Sequence, residues 1–179
     1  KTNNHKKTNM ILTNLGLNLI SLGEQQKMLD ISGNKFIAKV EGVRYKAYLD
    51  SVGVWTIGRG ITYYEDGSPI KSGDTITADR EEKLFQNTVS FFVKKVNEYV
   101  KVNINQNQFN ALVSFCYNVG TQAFKNSTLL KKVNTNPTDK LIQTEFMKWT
   151  KGTVKGKKVT ISGLINRRKQ EVQLYFKTA

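Results

Sequence analysis

The sequence predicts an α+β fold that is mainly α-helical, with a small antiparallel β-sheet lobe, a larger helical lobe and a cleft between them. Over residues 43–76, glycine recurs between short alternating runs such as "VWTI" and "ITYY", which is typical of hairpins. From residue 77 onward, apolar residues recur at helical spacing instead. The 179 residues fit one domain, 32–179, preceded by a lead or docked arm over 1–31.

The first predicted helix lies just before the sheet lobe. It is expected to begin near Ser32, because "SGNKFIAKVEG" places Phe36, Ile37 and Val40 on one face. Gly42 is expected to end this helix, since glycine readily adopts the left-handed conformation that follows a helix terminus. Glu41 therefore falls in the last turn.

The helical lobe is predicted to open with a long helix capped by Thr77, with Asp79, Glu81 and Glu82 in its first turn. Its buried face is expected to comprise Leu84, Phe85, Val89, Phe92, Val93 and Val96. The segment "NQNQFNALVSFCYNVG" predicts a second core helix that ends at Gly120.

Shorter elements complete the chain. Helices are expected around 128–134 and 138–149, and "KGTVKGKKVTISG" (151–163) predicts a basic loop or hairpin. The segment "LINRRKQEVQLYFK" then predicts a final helix. No internal repeat or low-complexity block interrupts this order.

The charge balance points to a polyanionic partner. The chain has 28 Lys and Arg against 14 Asp and Glu, a net charge of +14 and a pI near 9.8. Nucleic acid, an anionic membrane face and a bacterial cell wall all fit such a charge, and a simple contribution to solubility is the alternative.

Neither cysteine nor histidine offers obvious chemistry. Cys116, the single cysteine of the sequence, lies in an apolar helical pattern, so we expect a small core residue and no disulfide or zinc cluster. The single histidine, His5, lies in a polar tail. Acid–base chemistry must therefore come from carboxylates, Lys or Tyr.

Glu41 is the first candidate for such chemistry. The unpaired carbonyls at a helix terminus disfavour a nearby negative charge, and partial burial acts in the same direction. Both effects predict a raised pKa for the Glu41 carboxyl, as a general acid requires. The alternative is an ordinary surface acid at a helix end.

Asp50 is the second candidate, and its geometry depends on a turn. If residues 51–53 form a three-residue loop with Gly53 in the left-handed conformation, Asp50 faces Val54 and Tyr48 faces Thr56. Asp50 and Thr56 then project from the same face of the sheet, whereas a two-residue loop would separate them. The alternative is an aspartate that only forms the turn.

Two carboxyls in different protonation states suit glycoside hydrolysis. One protonates the leaving oxygen, while the other activates water or stabilises the cationic sugar. Asp50 in an exposed hairpin would stay ionised, and Thr56 could hold the water by a hydrogen bond.

These residues resemble a known family. Within "EGVRYKAYLDSVGVWTIGRG", eight residues separate Glu41 from Asp50, and five separate Asp50 from Thr56. This spacing is similar to the catalytic signature of the phage-type (T4-like) lysozymes, glycoside hydrolase family 24. The resemblance continues through "GDTIT", "NQNQFNALVSFCYNVG", "AFKNSTLL", "EFMKW" and "GLINRRKQE", over about 32–177.

The resemblance implies a lysozyme-like fold and a muramidase that cuts the β-1,4 bond between N-acetylmuramic acid and N-acetylglucosamine in peptidoglycan. It implies Glu41 as general acid, Asp50 as second carboxylate and Thr56 as the residue that helps to position water. The family is usually described as inverting, which would make Asp50 and Thr56 guides of a water molecule.

The resemblance also implies saccharide contacts at Thr62, Tyr117 and Ser127. Each has a structural alternative, namely strand packing for Thr62, a core aromatic for Tyr117 and a helix N-cap for Ser127.

Three arginines stand apart from the signature. Arg59 occupies a position where family members often carry an aromatic or aliphatic residue, and it is expected either at the cleft rim or as a solvated strand residue. Arg167 or Arg168 could lie near Glu41 and hold its geometry; otherwise both are ordinary helix-surface cations.

The expected function is therefore an endolysin-type muramidase that lyses bacteria, and the alternative is a catalytically silent wall-binding domain. Expected partners are peptidoglycan glycan strands and the anionic bacterial envelope, with no specific nucleic acid, no metal and no cofactor. We expect a monomeric phage or prophage product that acts on the cell wall. A basic nucleic-acid-binding module is a third class, but the cations are spread along the chain and no motif of that kind is present.

Overall fold

The computed structural model describes residues 26–50, 53–154 and 156–178. Helix α1 runs over Ile31–Glu41, followed by strands β1 (Arg44–Leu49) and β2 (Trp55–Gly58). Then come α2 (Ala78–Tyr99), α3 (Gln106–Val119), α4 (Thr121–Lys125), α5 (Thr128–Thr135), α6 (Ile142–Met147), β3 (Lys151–Val154), β4 (Lys157–Thr160) and α7 (Ser162–Tyr175). The described chain is thus mainly helical with small antiparallel sheets, which confirms the predicted fold class.

The predicted helix ends follow the local sequence signals. Asp30 caps α1 by accepting a hydrogen bond from the Gly33 amide, and Gly42 ends it with φ 73°. Thr77 caps α2, and Asn105 and Gln108 form a reciprocal capping box at the start of α3. Helix α4 was not predicted, since it begins directly after Gly120, the residue that ends α3.

The sheet lobe is built on β1 and β2, which pair antiparallel. The other edge of β1 carries the segment 74–76, because the Ala47 amide donates to the Asp74 carbonyl and the Ile76 amide donates to the Tyr45 carbonyl, both at 2.9 Å. The "ITYY" run forms only isolated bridges, Ile57 with Ile61 and Tyr63 with Pro69. Regular pairing does not extend there, because Gly58 and Gly60 turn the chain with positive φ.

Helix α3 lies at the centre of the helical lobe and packs against α1, α2, α4 and α7. Nine consecutive residues of this helix, Gln108 to Cys116, are buried. Cys116 is fully buried, and burial raises its thiol pKa to about 12, so it is the core residue that the sequence predicts. The buried face predicted for α2 is also confirmed, except that Phe92 is only partly buried.

The second hairpin, β3 with β4, pairs Lys151 with Thr160 and Thr153 with Lys158. Of the two forms predicted for 151–163, loop or hairpin, the chain therefore adopts the hairpin. Every side chain described in β4 is exposed. Within the described ranges, no helix is both long and apolar enough to cross a membrane.

Most of the predicted lead, together with His5, lies outside the described residues. The described end of the lead contacts the helical lobe. The Lys27 backbone and the Asn97 side chain exchange two hydrogen bonds of 2.9 and 2.8 Å, and the Met28 carbonyl accepts one from Gln106. The docked arm over 1–31 stays a prediction.

Candidate active site

The two oxygens of the Glu41 carboxyl have different neighbours. Glu41 is the last residue of α1, and its side chain is 18% exposed. Its Oε1 atom lies 2.5 Å from Nη1 of Arg167 on α7. Its Oε2 atom lies beside the turn that follows β2, 3.6 Å from the position that a Cβ would take on Gly60.

The sequence predicted that either Arg167 or Arg168 could lie near Glu41, and the structure shows which one does. Arg167, and not Arg168, pairs with Glu41. Arg167 therefore holds one oxygen of the Glu41 carboxyl. The protonated general acid stays a prediction.

Arg167 uses all three of its nitrogens. Besides the bond to Glu41, Nε donates to Glu171 Oε1 at 3.0 Å and Nη2 donates to the Ser114 carbonyl at 3.0 Å. Burial lowers the pKa of Arg167, but the carboxylates of Glu41 and Glu171 outweigh burial, so the pKa is raised. Arg167 is consequently a fixed cation that links α7, α3 and α1.

Arg168 completes a buried cluster behind that cation. Its Nη1 donates to Glu171 Oε2 at 2.6 Å, and its Nη2 donates to Asn118 Oδ1. Burial lowers the Arg168 pKa to about 10, although the Glu171 carboxylate raises it. The hydroxyl of Ser114 donates to Glu171 Oε1 at 2.8 Å. One carboxylate, Glu171, thus serves two arginines inside the helical lobe.

Asp50 and Thr56 adopt the register that depends on Gly53. Tyr48 pairs with Thr56, and Gly53 has φ 83°. The Asp50 amide donates to the Val54 carbonyl at 3.0 Å, and Asp50 Oδ1 accepts from the Val54 amide at 2.9 Å. Asp50 and Thr56 therefore share one face of the sheet, as predicted.

Thr56 is buried on this face of the sheet, and its hydroxyl donates to the Val54 carbonyl at 3.0 Å. A hydroxyl that donates its proton to the protein can still accept a hydrogen bond from water.

Tyr48 is the residue that our sequence reasoning missed as part of the site. It lies on the same face as Asp50, and the Arg44 guanidinium stacks 4.2 Å above its ring. Burial raises the Tyr48 pKa, Arg44 lowers it, and the charges of Glu41 and Asp50 raise it further. The charges of both carboxyls therefore act on the Tyr48 phenol. The two-residue period of a strand already predicts that Tyr48 and Asp50 share a face of the sheet, so the sequence could have indicated this residue.

The three predicted saccharide contacts have different surroundings. Thr62 is half-buried, and its carbonyl accepts from the Ile70 amide at 3.0 Å. The Tyr117 hydroxyl donates to the Arg59 carbonyl at 2.7 Å, and burial raises its pKa strongly. Ser127 is 4% exposed and caps α5 by accepting from the Leu130 amide at 3.0 Å. Their contact with saccharide stays a prediction.

Arg59 differs from both alternatives that the sequence offered. It is only 8% exposed, so it is neither a solvated strand residue nor a cation on the cleft rim. Its Nη2 lies 3.1 Å from Glu81 Oε2 and 2.5 Å from Glu82 Oε2. Its guanidinium stacks 4.1 Å from the centre of the Phe85 ring. The start of α2 provides these contacts, through Glu81, Glu82 and Phe85.

A cavity of about 350 Å³ lies between α2 and the chain after the turn at Gly60. It is lined by Tyr63, Tyr64, Glu65, Leu84, Asn87 and Thr88. Glu41, Asp50 and Thr56 do not line it, so it is separate from the candidate catalytic residues.

Comparisons with known proteins find similarity along most of the chain. The phage lysozyme family model matches residues 38–171. The solved endolysin of Escherichia coli O157:H7 phage FAHEc1 superimposes with a TM-score of 0.81 at 40% identity, over 86% of this chain and 96% of that one. The endolysin of Acyrthosiphon pisum secondary endosymbiont phage 1 is 38% identical over 143 residues, which are 80% of this chain and 94% of that protein. The endolysin of Bacillus phage PZA is 42% identical over 146 residues, but the chain spans only 53% of its length.

The fold and these likenesses define a lysozyme-type glycoside hydrolase. The chain belongs to the phage lysozyme family. It is a peptidoglycan-degrading muramidase of the endolysin type.

Proposed function

We propose that the chain hydrolyses the β-1,4 bond between N-acetylmuramic acid and N-acetylglucosamine, with Glu41 as general acid. The observation that carries this proposal is the asymmetric environment of the Glu41 carboxyl. Oε1 is bound by Arg167 at 2.5 Å, whereas Oε2 faces the turn at Gly60. The proton that is delivered to the leaving oxygen therefore resides on Oε2.

Asp50 and Thr56 act on the second reactant, the attacking water molecule. Asp50 Oδ1 is fixed by the Val54 amide, so the carboxylate keeps one orientation on its hairpin. Thr56 lies on the same face and offers its oxygen as an acceptor. Together they hold the water for attack on the anomeric carbon, which makes the reaction inverting. The saccharide contacts at Thr62, Tyr117 and Ser127 belong to the same proposal.

The experiment that tests this activity is digestion of purified cell walls, followed by mass spectrometry of the released muropeptides. We expect products that end in reducing N-acetylmuramic acid. Intact walls after prolonged incubation would support instead the catalytically silent wall-binding domain. Proton NMR of the first product distinguishes the two stereochemical outcomes: the α-anomer supports an inverting reaction, and the β-anomer contradicts it.

The anionic envelope is proposed as the wider partner, and the β3–β4 hairpin as a main contact. Residues 146–170 contain eight Lys and Arg and no acidic residue. Lys151 and Lys158 lie on one face of the hairpin together with two threonines, and Lys157 lies on the other. Charges exposed in this way attract polyanions, and salt weakens the attraction.

Charge reversal of the hairpin tests this contact. Lys157→Glu/Lys158→Glu should weaken sedimentation with intact walls more than Lys83→Glu/Lys94→Glu, which makes the same charge change on α2. Hydrolysis of short soluble glycan fragments should be equal in the two variants. Equal wall binding would show that net charge alone, and not the hairpin, attracts the envelope.

We further propose a monomeric phage or prophage product that reaches the wall from the host cytoplasm or with a virion. Sedimentation equilibrium at several concentrations tests the monomer, and a mass that rises with concentration would contradict it.

A further inference from the structure

The turn Gly58–Gly60, at the end of β2, contacts the helical lobe through Arg59. The Arg59 side chain pairs with Glu81 and Glu82 in the first turn of α2. Its carbonyl accepts the Tyr117 hydroxyl of α3 at 2.7 Å. One residue therefore connects the end of β2 to the start of α2 and to α3, the central helix of the helical lobe.

The same turn lies directly against the Glu41 carboxyl. Gly60 follows Arg59 and has φ 85°, and Glu41 Oε2 lies 3.6 Å from the position of a Cβ on Gly60. On the other side, a Cβ on Gly58 would meet the Glu81 side chain at 2.9 Å. The backbone of the turn thus lies between two carboxyl groups.

The ion-pair cluster of Arg59, Glu81 and Glu82 leaves buried polar atoms without hydrogen bonds in the described chain. Among the described residues, Nε and Nη1 of Arg59 and Oε1 of Glu81 are buried without a hydrogen-bond partner. Burying charged groups with incomplete pairing costs free energy, and an apolar pair of similar volume is often as stable or more so. Stability alone therefore gives a weak reason for a buried arginine at this place.

We propose that Arg59 is a positioning residue, which holds the Gly58–Gly60 turn against the Glu41 carboxyl and so fixes the oxygen that transfers the proton. The inference rests on the proposed role of Glu41 as general acid. Arg59 touches neither the substrate nor the reacting atoms in this role. It acts through the backbone of Gly60, and the stacking on Phe85 fixes the plane of its guanidinium.

The decisive variant is Arg59→Met/Glu81→Met, because it removes both buried charges and leaves an apolar pair of similar length. We expect the thermal midpoint to be unchanged or raised. We expect kcat on purified walls to fall about tenfold or more, since a displacement of about 1 Å at a reacting group can cost that much. KM should change by less than about twofold, because substrate contacts stay in place.

Two further variants complete the test. Arg80→Met removes another arginine from the start of α2, one that pairs with Glu65 and does not contact the turn, so kcat should stay at the wild-type value. Arg59→Lys keeps the charge but loses the planar stacking, and we expect a kcat between those of the wild type and the double variant. A wild-type kcat in the double variant would overturn the proposal.

A measurement without turnover separates this inference from the proposed function. The Gly60 amide shift in ¹⁵N NMR should follow the titration of Glu41 in the wild-type protein, and this response should shrink in Arg59→Met/Glu81→Met. If the wild type does not cleave walls but the response shrinks, the general-acid role is wrong and the positioning stands. If the response is unchanged, the positioning is wrong whatever the activity.

Discussion

Two buried arginines lie on opposite sides of the Glu41 site, and they are paired to different degrees. Arg167 donates through all three nitrogens to Glu41, Glu171 and Ser114. Arg59 donates only through Nη2, and its other two nitrogens are buried without a partner among the described residues. A fully paired guanidinium supports both stability and geometry, whereas a partly paired one supports geometry at some cost in stability.

The two buried carboxylates that pair with these arginines, Glu171 and Glu81, also differ in how completely they are hydrogen-bonded. Glu171 is fully buried and bonded at both oxygens by arginines and Ser114. Glu81 is almost as buried, but Oε1 has no partner in the described chain. Burial raises the pKa of Glu81, and the Arg59 charge lowers it again only in part. Glu171 is therefore the more completely paired of the two carboxylates.

The largest effect is expected from Arg167→Met. This variant leaves Glu41 without its cation and takes one of two arginines from Glu171, and breaking a buried pair typically costs about 3–5 kcal/mol. The free energy of unfolding, from urea denaturation, should fall by that amount. Wall hydrolysis should also be lost. Unchanged stability would contradict the contrast between the two clusters, and Arg167→Lys, which retains a charge, serves as control.

Glu41→Gln should remove activity without removing the fold. The amide oxygen can still accept from Arg167, but it cannot transfer a proton, and general acid catalysis is worth about 10²–10⁴-fold. Turbidity loss of cell-wall suspensions should fall by roughly that factor. Circular dichroism should be close to that of the wild type. Clearing at the wild-type rate would mean that another residue supplies the proton.

Asp50→Asn tests the sheet-lobe side of the site. The Asn side chain can still accept from the Val54 amide, so the hairpin should keep its register. Loss of the negative charge removes the base for the attacking water, and we expect kcat to fall by about 10²-fold. Near-normal kcat in the same wall assay would reduce Asp50 to a turn residue.

The smallest effect is expected from Glu65→Gln, which breaks an exposed ion pair in the sheet lobe. The hydrogen bonds from Arg80 lower the Glu65 pKa below its usual value of 4.5. The pair therefore stabilises the fold above about pH 4.5, and its contribution is lost as the pH falls through the lowered pKa of the folded state. Exposed pairs are worth about 0.2–1 kcal/mol.

Urea denaturation at pH 7 and pH 3 measures this difference between wild type and variant. The difference should shrink at the lower pH and at high salt. A difference that is equal at both pH values would show that the Glu65 charge does not contribute. Glu98→Gln breaks another exposed ion pair, the one with Lys95 on α2, and the same measurements on it provide the comparison for Glu65→Gln.

The sequence by itself determined the order of the elements and the local geometry of the catalytic hairpin. Asp30, Thr77 and Asn105 cap their helices, because a cap needs only a short polar side chain three residues before an orphan amide. Gly53 set the loop length and hence the register of Tyr48 with Thr56. Such features involve residues a few positions apart, so the chain itself encodes them.

Only the tertiary structure decided which distant residues meet at the site. Arg167 and Glu41 are 126 positions apart, and the packing of α7 on α3 turned Arg167 rather than Arg168 toward the carboxyl. Arg59 and Glu82 are 23 positions apart, and contacts with the start of α2 hold inside the protein an arginine that the sequence allowed as a solvated strand residue. A helical pattern gives the spacing of two neighbouring arginines but not the rotation of their helix in the folded lobe, and that rotation is set by the sum of many packing contacts.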